Sequence, residues 1–136
     1  MTKDIISKEH FDYLFENGLI VDGTNGGLVL GWSHDEGGIY MIIECDEGHK
    51  IVATMEGGEY LLSSSSYAKH KDRIISINSE RPKQYFIDID VLRKTPIIQV
   101  NSIQYLLLDK RGQFIVNKDA TCHYLEELNL LNNDDW

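Results

Sequence analysis

The sequence predicts an α+β fold. It reads as one small domain over residues 1–136, with an antiparallel β-sheet, helices packed on one side, and an internal strand–helix repeat. Three observations lead there. Ten of the eleven glycines fall between Gly18 and Gly58, where they separate short apolar runs and read as turns between strands. Two later stretches carry apolar residues at helical spacing. At 136 residues, 42% hydrophobic and 26% charged, the chain has the size and composition of a single core.

Taken in order, Ser7 suits an N-cap, Glu9 sits in a first turn, and Phe11, Leu14 and Phe15 share a face. That pattern predicts a helix over Lys8–Asn17, with Gly18 at the C′ position where left-handed backbone costs little. Strands are expected at Leu28–Trp32, Ile39–Glu44, Lys50–Met55 and Glu59–Leu62, joined by turns at "SHDEGG", "CDEGH" and "EGG". "QYFIDIDV" alternates apolar and polar residues, Pro96 breaks the chain, and "PIIQV" and "IQYLLLD" are strand-like. "DKRGQ" reads as a hairpin turn into "FIVN". "NKDATCHYLEELNLLNN" predicts a helix capped by Asn117 or Asp119, with Tyr124, Leu125, Leu128 and Leu131 on one face.

Arg73–Ile77, "RIISI", is ambiguous by itself. Its isoleucines suggest a strand, yet the preceding serines suit a helix start. Alignment of Gly58 with Gly112 resolves it. "GEYLLSSSSYAKHKDRIISIN" lies over "GQFIVNKDATCHYLEELNLLN" without a gap at an offset of 54 residues. Each copy is a glycine turn, an apolar strand, a capping segment and an amphipathic stretch ending near Asn. The second copy is a strong helix former, so the first is expected to be helical from about Ser65 to Ile77. The related units are residues 56–78 and 110–132.

The same stretches resemble a module of tape-measure and other tail-associated proteins of tailed phages. Its pattern is Gly-Glu-Phe-Val-Val-Asn, a short segment with Ala-Thr, then a leucine-rich helix. "GQFIVNKDATCHYLEELNLLNN" is similar to it, with Gln113 in place of the usual Glu. "GGLVLGWSHDEGGIYMI" and "EGGEYLL" resemble a variant common in phages of gut bacteria. Trp32 stands where that variant has Pro, and Ser63–Ser66 replace its Asn-Lys segment. The resemblance covers about residues 26–78 and 109–133, and it implies a structural or interaction role without defined catalysis.

Charge is unevenly spread. From Asp35 to Glu59 seven acids meet one base, a balance of −6, and from Ser64 to Lys94 seven bases meet four acids, a balance of +3. A net charge of −9 disfavours a nucleic acid partner, because phosphate binding needs clustered Lys and Arg. It suits solubility or a basic protein partner. No apolar run approaches the roughly 20 residues that span a bilayer, and the N-terminal residues carry no signal-peptide pattern. Cys45 and Cys122 show no C-x-x-C spacing and are expected as free thiols in a cytosolic setting.

The chemical candidates are weak against their structural readings. His34, Asp35 and Glu36, with Cys45 or His49, match no zinc spacing, and a solvated turn accounts for them. Cys45 with His49 lacks an orienting third residue, and Cys122 with His123 would diverge on a helix. Ser63–Ser66 near Lys69, His70, Lys71 and Arg73 is either a phosphate-binding helix start or a plain cap, and the cap suffices. No glycine pair precedes Gly-Lys-Ser/Thr. The sequence therefore predicts no catalytic residue, metal or cofactor. It predicts a non-enzymatic phage-encoded protein, virion- or tail-associated, or alternatively a soluble immunity or anti-defence inhibitor of a basic toxin or host factor. The candidate protein interface is His34, Asp35, Glu36, Glu44, Asp46, Glu47, Glu56 and Glu59. Partners are expected to be other virion proteins, a basic host protein or a second copy, in the virion or the host cytoplasm.

Overall fold

A computed structural model describes residues 4–80, 82 and 87–133. The first half runs β1 (Ile5–Ser7), α1 (Lys8–Glu16), β2 (Ile20–Asp22), β3 (Gly27–Leu30), a 3-10 turn (His34–Glu36), β4 (Ile39–Cys45) and β5 (Gly48–Met55). The second runs β6 (Tyr60–Leu62), α2 (Ser64–Ser79), α3 (Ile89–Arg93), β7 (Ile97–Gln99), β8 (Tyr105–Leu107), β9 (Phe114–Val116) and α4 (Lys118–Leu131). Among the described residues the strands form a five-stranded sheet, β1-β5-β4-β8-β2, and a four-stranded sheet, β7-β3-β6-β9.

The α+β class is as expected, and the sheet organisation is richer than one antiparallel sheet. The pairs β2–β8, β4–β8 and β3–β7 are parallel, while β1–β5, β4–β5, β3–β6 and β6–β9 are antiparallel. Of the glycine turns, "CDEGH" closes a hairpin, since Cys45 faces Gly48 across β4 and β5. "SHDEGG", "EGG" and "DKRGQ" do not. Each carries the chain from one sheet to the other, because β3, β6 and β9 share one sheet and β4, β5 and β8 the other. β3 accordingly ends at Leu30, and Trp32 lies outside it.

Two further expectations fail for local reasons. In "QYFIDIDV", Gln84–Phe86 lie outside the described residues, and Ile89–Val91 are helical in α3. Asp88 Oδ1 accepts from the Asp90 N–H at 2.8 Å, so the aspartate works as an N-cap and overrides the alternation. β1 and β2, of three residues each, were not expected. α1 begins as predicted, with Ser7 Oγ accepting from the His10 N–H. Leu14 is buried, but Phe15 is 63% exposed and leaves the packing face.

Arg73–Ile77 is helical, inside α2. Both strand–helix units have the same plan at the 54-residue offset. Ser63 caps α2 and Asn117 caps α4, and each helix departs from helical backbone at one matching residue, His70 and Tyr124. β6 and β9 pair antiparallel with Tyr60 opposite Val116 and Leu62 opposite Phe114. Equivalent strands paired this way are related by a local two-fold axis.

Alternation along the strands sets the layers. Leu28, Tyr60, Leu62 and Val116 meet Ile74, Ile77, Leu125, Leu128 and Leu131 of α2 and α4. Val29 and Leu61 turn the other way and meet Ile39, Met41, Met55 and Leu106 of the five-stranded sheet. Beyond that sheet, Ile42 meets Leu14, with Phe11, Ile51 and Leu107 packed around them. The order is α2 and α4, four-stranded sheet, five-stranded sheet, α1.

Candidate functional site

The eight predicted interface residues divide between the two ends of the β4–β5 hairpin. β4 has seven residues, so the ends are about 20 Å apart at the rise of a strand. His34, Asp35 and Glu36 form the 3-10 turn before β4, and Glu56 and Glu59 follow β5. Glu44, Asp46 and Glu47 lie at the other end, around the hairpin tip. The expected acidic face is two clusters, not one surface.

At the first end, most of the charge is spent on the fold. Glu36 Oε1 accepts from the Ser33 N–H at 3.0 Å and from its hydroxyl at 3.2 Å, which closes the turn. Glu56 lies between His34 Nε2 at 3.9 Å and Lys118 Nζ at 3.5 Å, tying the turn to the start of α4. Glu59 Oε1 accepts from the Glu56 N–H at 2.8 Å. Its burial raises the carboxyl above the ordinary glutamate value, although that hydrogen bond pulls the other way. Gly37 and Gly38 have φ of 119° and 76°, where a side chain would be strained. A Cβ on Gly38 would also stand 3.1 Å from the Thr54 Cβ.

At the second end, Glu44 pairs with Lys110 at 2.7 Å, and that bond holds its carboxyl below the usual value. Asp46 and Glu47 are exposed at the tip. Beside them a cavity of about 580 Å³ is lined by Lys8, Phe11, Asp12, Glu44, Cys45, Asp46, Gly48 and His49. His49 does not partner the Cys45 thiol. Its ring lies flat on Phe11 of α1, with centroids 3.7 Å apart and planes within 9°.

The Ser63–Ser66 segment is a cap whose surroundings differ from the expected basic patch. Ser63 Oγ accepts from the Ser66 N–H at 3.2 Å. Ser64 Oγ donates to Asp109 Oδ2 at 2.7 Å, and Arg111 binds the same carboxylate at 2.7 Å. These bonds, led by Arg111, hold Asp109 well below the carboxylate range, so a fixed negative charge stands at this helix start. Arg73 is turned away to Glu127, at 2.6 and 2.7 Å, and Lys71 lies over the Tyr67 ring.

Sequence reasoning missed the asparagines that join the two units. The Ser63 N–H donates to Asn132 Oδ1 at 2.8 Å, and the Asn117 N–H donates to Asn78 Oδ1 at 2.8 Å. Each helix ends in an asparagine that binds the cap of the other unit. Arg73 and Glu127, themselves 54 residues apart, pair across the same axis. The recurring terminal Asn in the alignment was the available signal.

Among the described residues no group of three or more His, Cys, Asp or Glu side chains is placed to hold a metal ion, and no helix is long and apolar enough to cross a membrane. No family model, curated protein or solved structure matches this chain.

Proposed function

We propose that the chain acts by binding another protein, as a non-enzymatic component that a phage or prophage encodes and that associates with the virion or tail. The observation that carries this reading is the pair of strand–helix units. The strand–helix parts of the segments that resemble the tail-protein module, β6–α2 and β9–α4, pack about a local two-fold axis. Their polar side chains (Asn78, Asn117, Asn132, Arg73, Glu127) are committed to holding the pair together. Such a core is a rigid platform, and its function lies in what it presents. The test is mass spectrometry of purified particles of the phage that carries the gene, with neighbouring genes read for portal, tail and capsid proteins. Stoichiometric recovery with particles supports the reading. Recovery only in the soluble host fraction opposes it.

A second reading is a soluble inhibitor of a basic toxin or host factor. One observation favours it: Asp46 and Glu47 are exposed at the tip of a two-stranded hairpin, where a basic partner could be met first. A toxin gene directly upstream, and a stable complex with its purified product, would select this reading over the virion one.

A further inference from the structure

We propose that α1 is an acid-released flap over the outer face of the five-stranded sheet, with His49 as its trigger. The proposal is independent of which partner the protein binds. It starts from how thinly α1 is held. Of its nine residues, Leu14 alone is buried, and Phe11 is half-buried. Tyr13 and Phe15 are 60% and 63% exposed. A helix of this length is not stable without its docking contacts, so local opening requires far less than unfolding the whole domain.

The flat contact between Phe11 and His49 is one of those few attachments. His49 stands on β5 opposite Glu44 of β4 and Ile6 of β1. Its Nδ1 is buried with no hydrogen-bond partner among the described residues. A neutral imidazole tolerates this, because its bare nitrogen carries no proton. An imidazolium carries N–H on both ring nitrogens, and a charged donor buried without an acceptor is costly. Lifting Phe11 away gives that donor water.

The charged groups around the ring oppose each other. On α1, Asp12 favours the imidazolium, and Lys8 lines the same cavity. On β4, Glu44 favours the imidazolium but is already bound to Lys110. Asp46 lines the cavity from the hairpin tip, and β1 contributes no charged residue at this register. Burial outweighs the carboxylates, and the ring's pKa in the docked state lies below its ordinary 6.5. The docked state is therefore fully stable above that value and loses stability as the pH falls through it. Release would uncover Ile6, Ile42 and Ile51, an apolar sheet face otherwise covered.

The experiment is amide hydrogen exchange at pH 7.5 and 5.5, corrected for intrinsic rates and read on α1 against α4, in the wild type and in His49→Phe. The wild type should lose α1 protection several-fold at pH 5.5, with a ceiling of about tenfold for one pH unit below 6.5, while α4 stays protected. His49→Phe keeps a flat ring and should lose markedly less α1 protection between the two pH values than the wild type. His10, exposed on the same helix, is present in both proteins, so any effect of its own cancels. Unchanged wild-type protection, or an equal loss in His49→Phe, overturns the proposal. Should the variant fail to fold, an NMR titration of the wild-type His49 ring decides. A value below 6.5 supports the trigger, and a value at or above it refutes it.

Discussion

The two outer layers of the molecule cover their sheets by different means. On one side α2 and α4, two long helices, bury Ile74, Ile77, Leu125, Leu128 and Leu131 against the four-stranded sheet. They are cross-bonded by Asn78, Asn132 and the Arg73–Glu127 pair. On the other side α1 covers part of the five-stranded sheet with Leu14 and the Phe11–His49 contact. The first layer repeats one design twice and closes it on itself. The second is a single short helix with aromatic side chains left in water. Stability should be concentrated in the first layer and motion in the second.

Truncating one buried side chain in each layer tests this most severely. Ile77→Ala should cost about 2–5 kcal/mol and lower the denaturant midpoint of the whole protein. Leu14→Ala should abolish exchange protection in α1 while moving that midpoint far less. Equal midpoint shifts from the two variants would mean that α1 is an integral part of the core.

The two layers also differ in how much the sequence revealed. The repeat made α2 legible although "RIISI" suggests a strand, because the leucine-rich copy fixes the reading of the isoleucine-rich one. Ser7, Ser63 and Asn117 cap the helices where their residue types suggest, since capping is a local interaction. Sheet membership was not legible. "SHDEGG", "EGG" and "DKRGQ" have hairpin composition but cross between sheets, and a turn's residues do not encode which strand pairs with which. The acidic residues were legible as charges and not as a surface. Whether Glu36, Glu44, Glu56 and Glu59 face a partner or serve the fold depends on Ser33, Lys110 and Lys118, which are set by tertiary packing.

The cross-unit asparagines sharpen the comparison. Asn78→Ala and Asn132→Ala each leave the N–H of a cap residue without its acceptor, and each should cost about 1–2 kcal/mol. The two losses should be similar, because each asparagine makes a second bond: Asn78 Oδ1 also accepts from Asn117 Nδ2 at 2.8 Å, and Asn132 Nδ2 donates to the Asn25 carbonyl at 3.0 Å. A chemical-denaturation series gives both values. If one variant is neutral and the other is not, the two halves of the pair are not energetically equivalent.

A smaller effect belongs to the Arg73–Glu127 pair, whose side chains are 45% and 32% exposed. Exposed pairs contribute about 0.5 kcal/mol, and a double-mutant cycle should return that size of coupling. Arg73 holds the Glu127 carboxyl below the ordinary 4.5. The contribution is therefore complete above 4.5 and lost as the pH falls through the lowered value. Glu127→Gln should be less stable than wild type at pH 7, and the gap should close as the pH falls below 4.5 and through the lowered value. A gap that persists in acid would assign the effect to packing instead of charge.

The smallest stability effect is expected at the hairpin tip, where the effect on binding should be greatest. Reversing Asp46 and Glu47 to Lys changes exposed charges at a turn, and such changes move stability by about 0.5 kcal/mol or less. Glu44 is left intact, because Glu44→Lys would set a second ammonium against Lys110 and mix a fold effect with a binding one. If the tip meets a basic partner, the double reversal should slow association steeply at low salt, with little difference at high salt, where the charges are screened. Stopped-flow association with the partner recovered from particles or from the soluble fraction provides the measurement. An unchanged rate across the salt series would remove the tip from the interface. The 3-10 turn, with Asp35 exposed in it and Trp32 exposed beside it, would then be the surface to alter next.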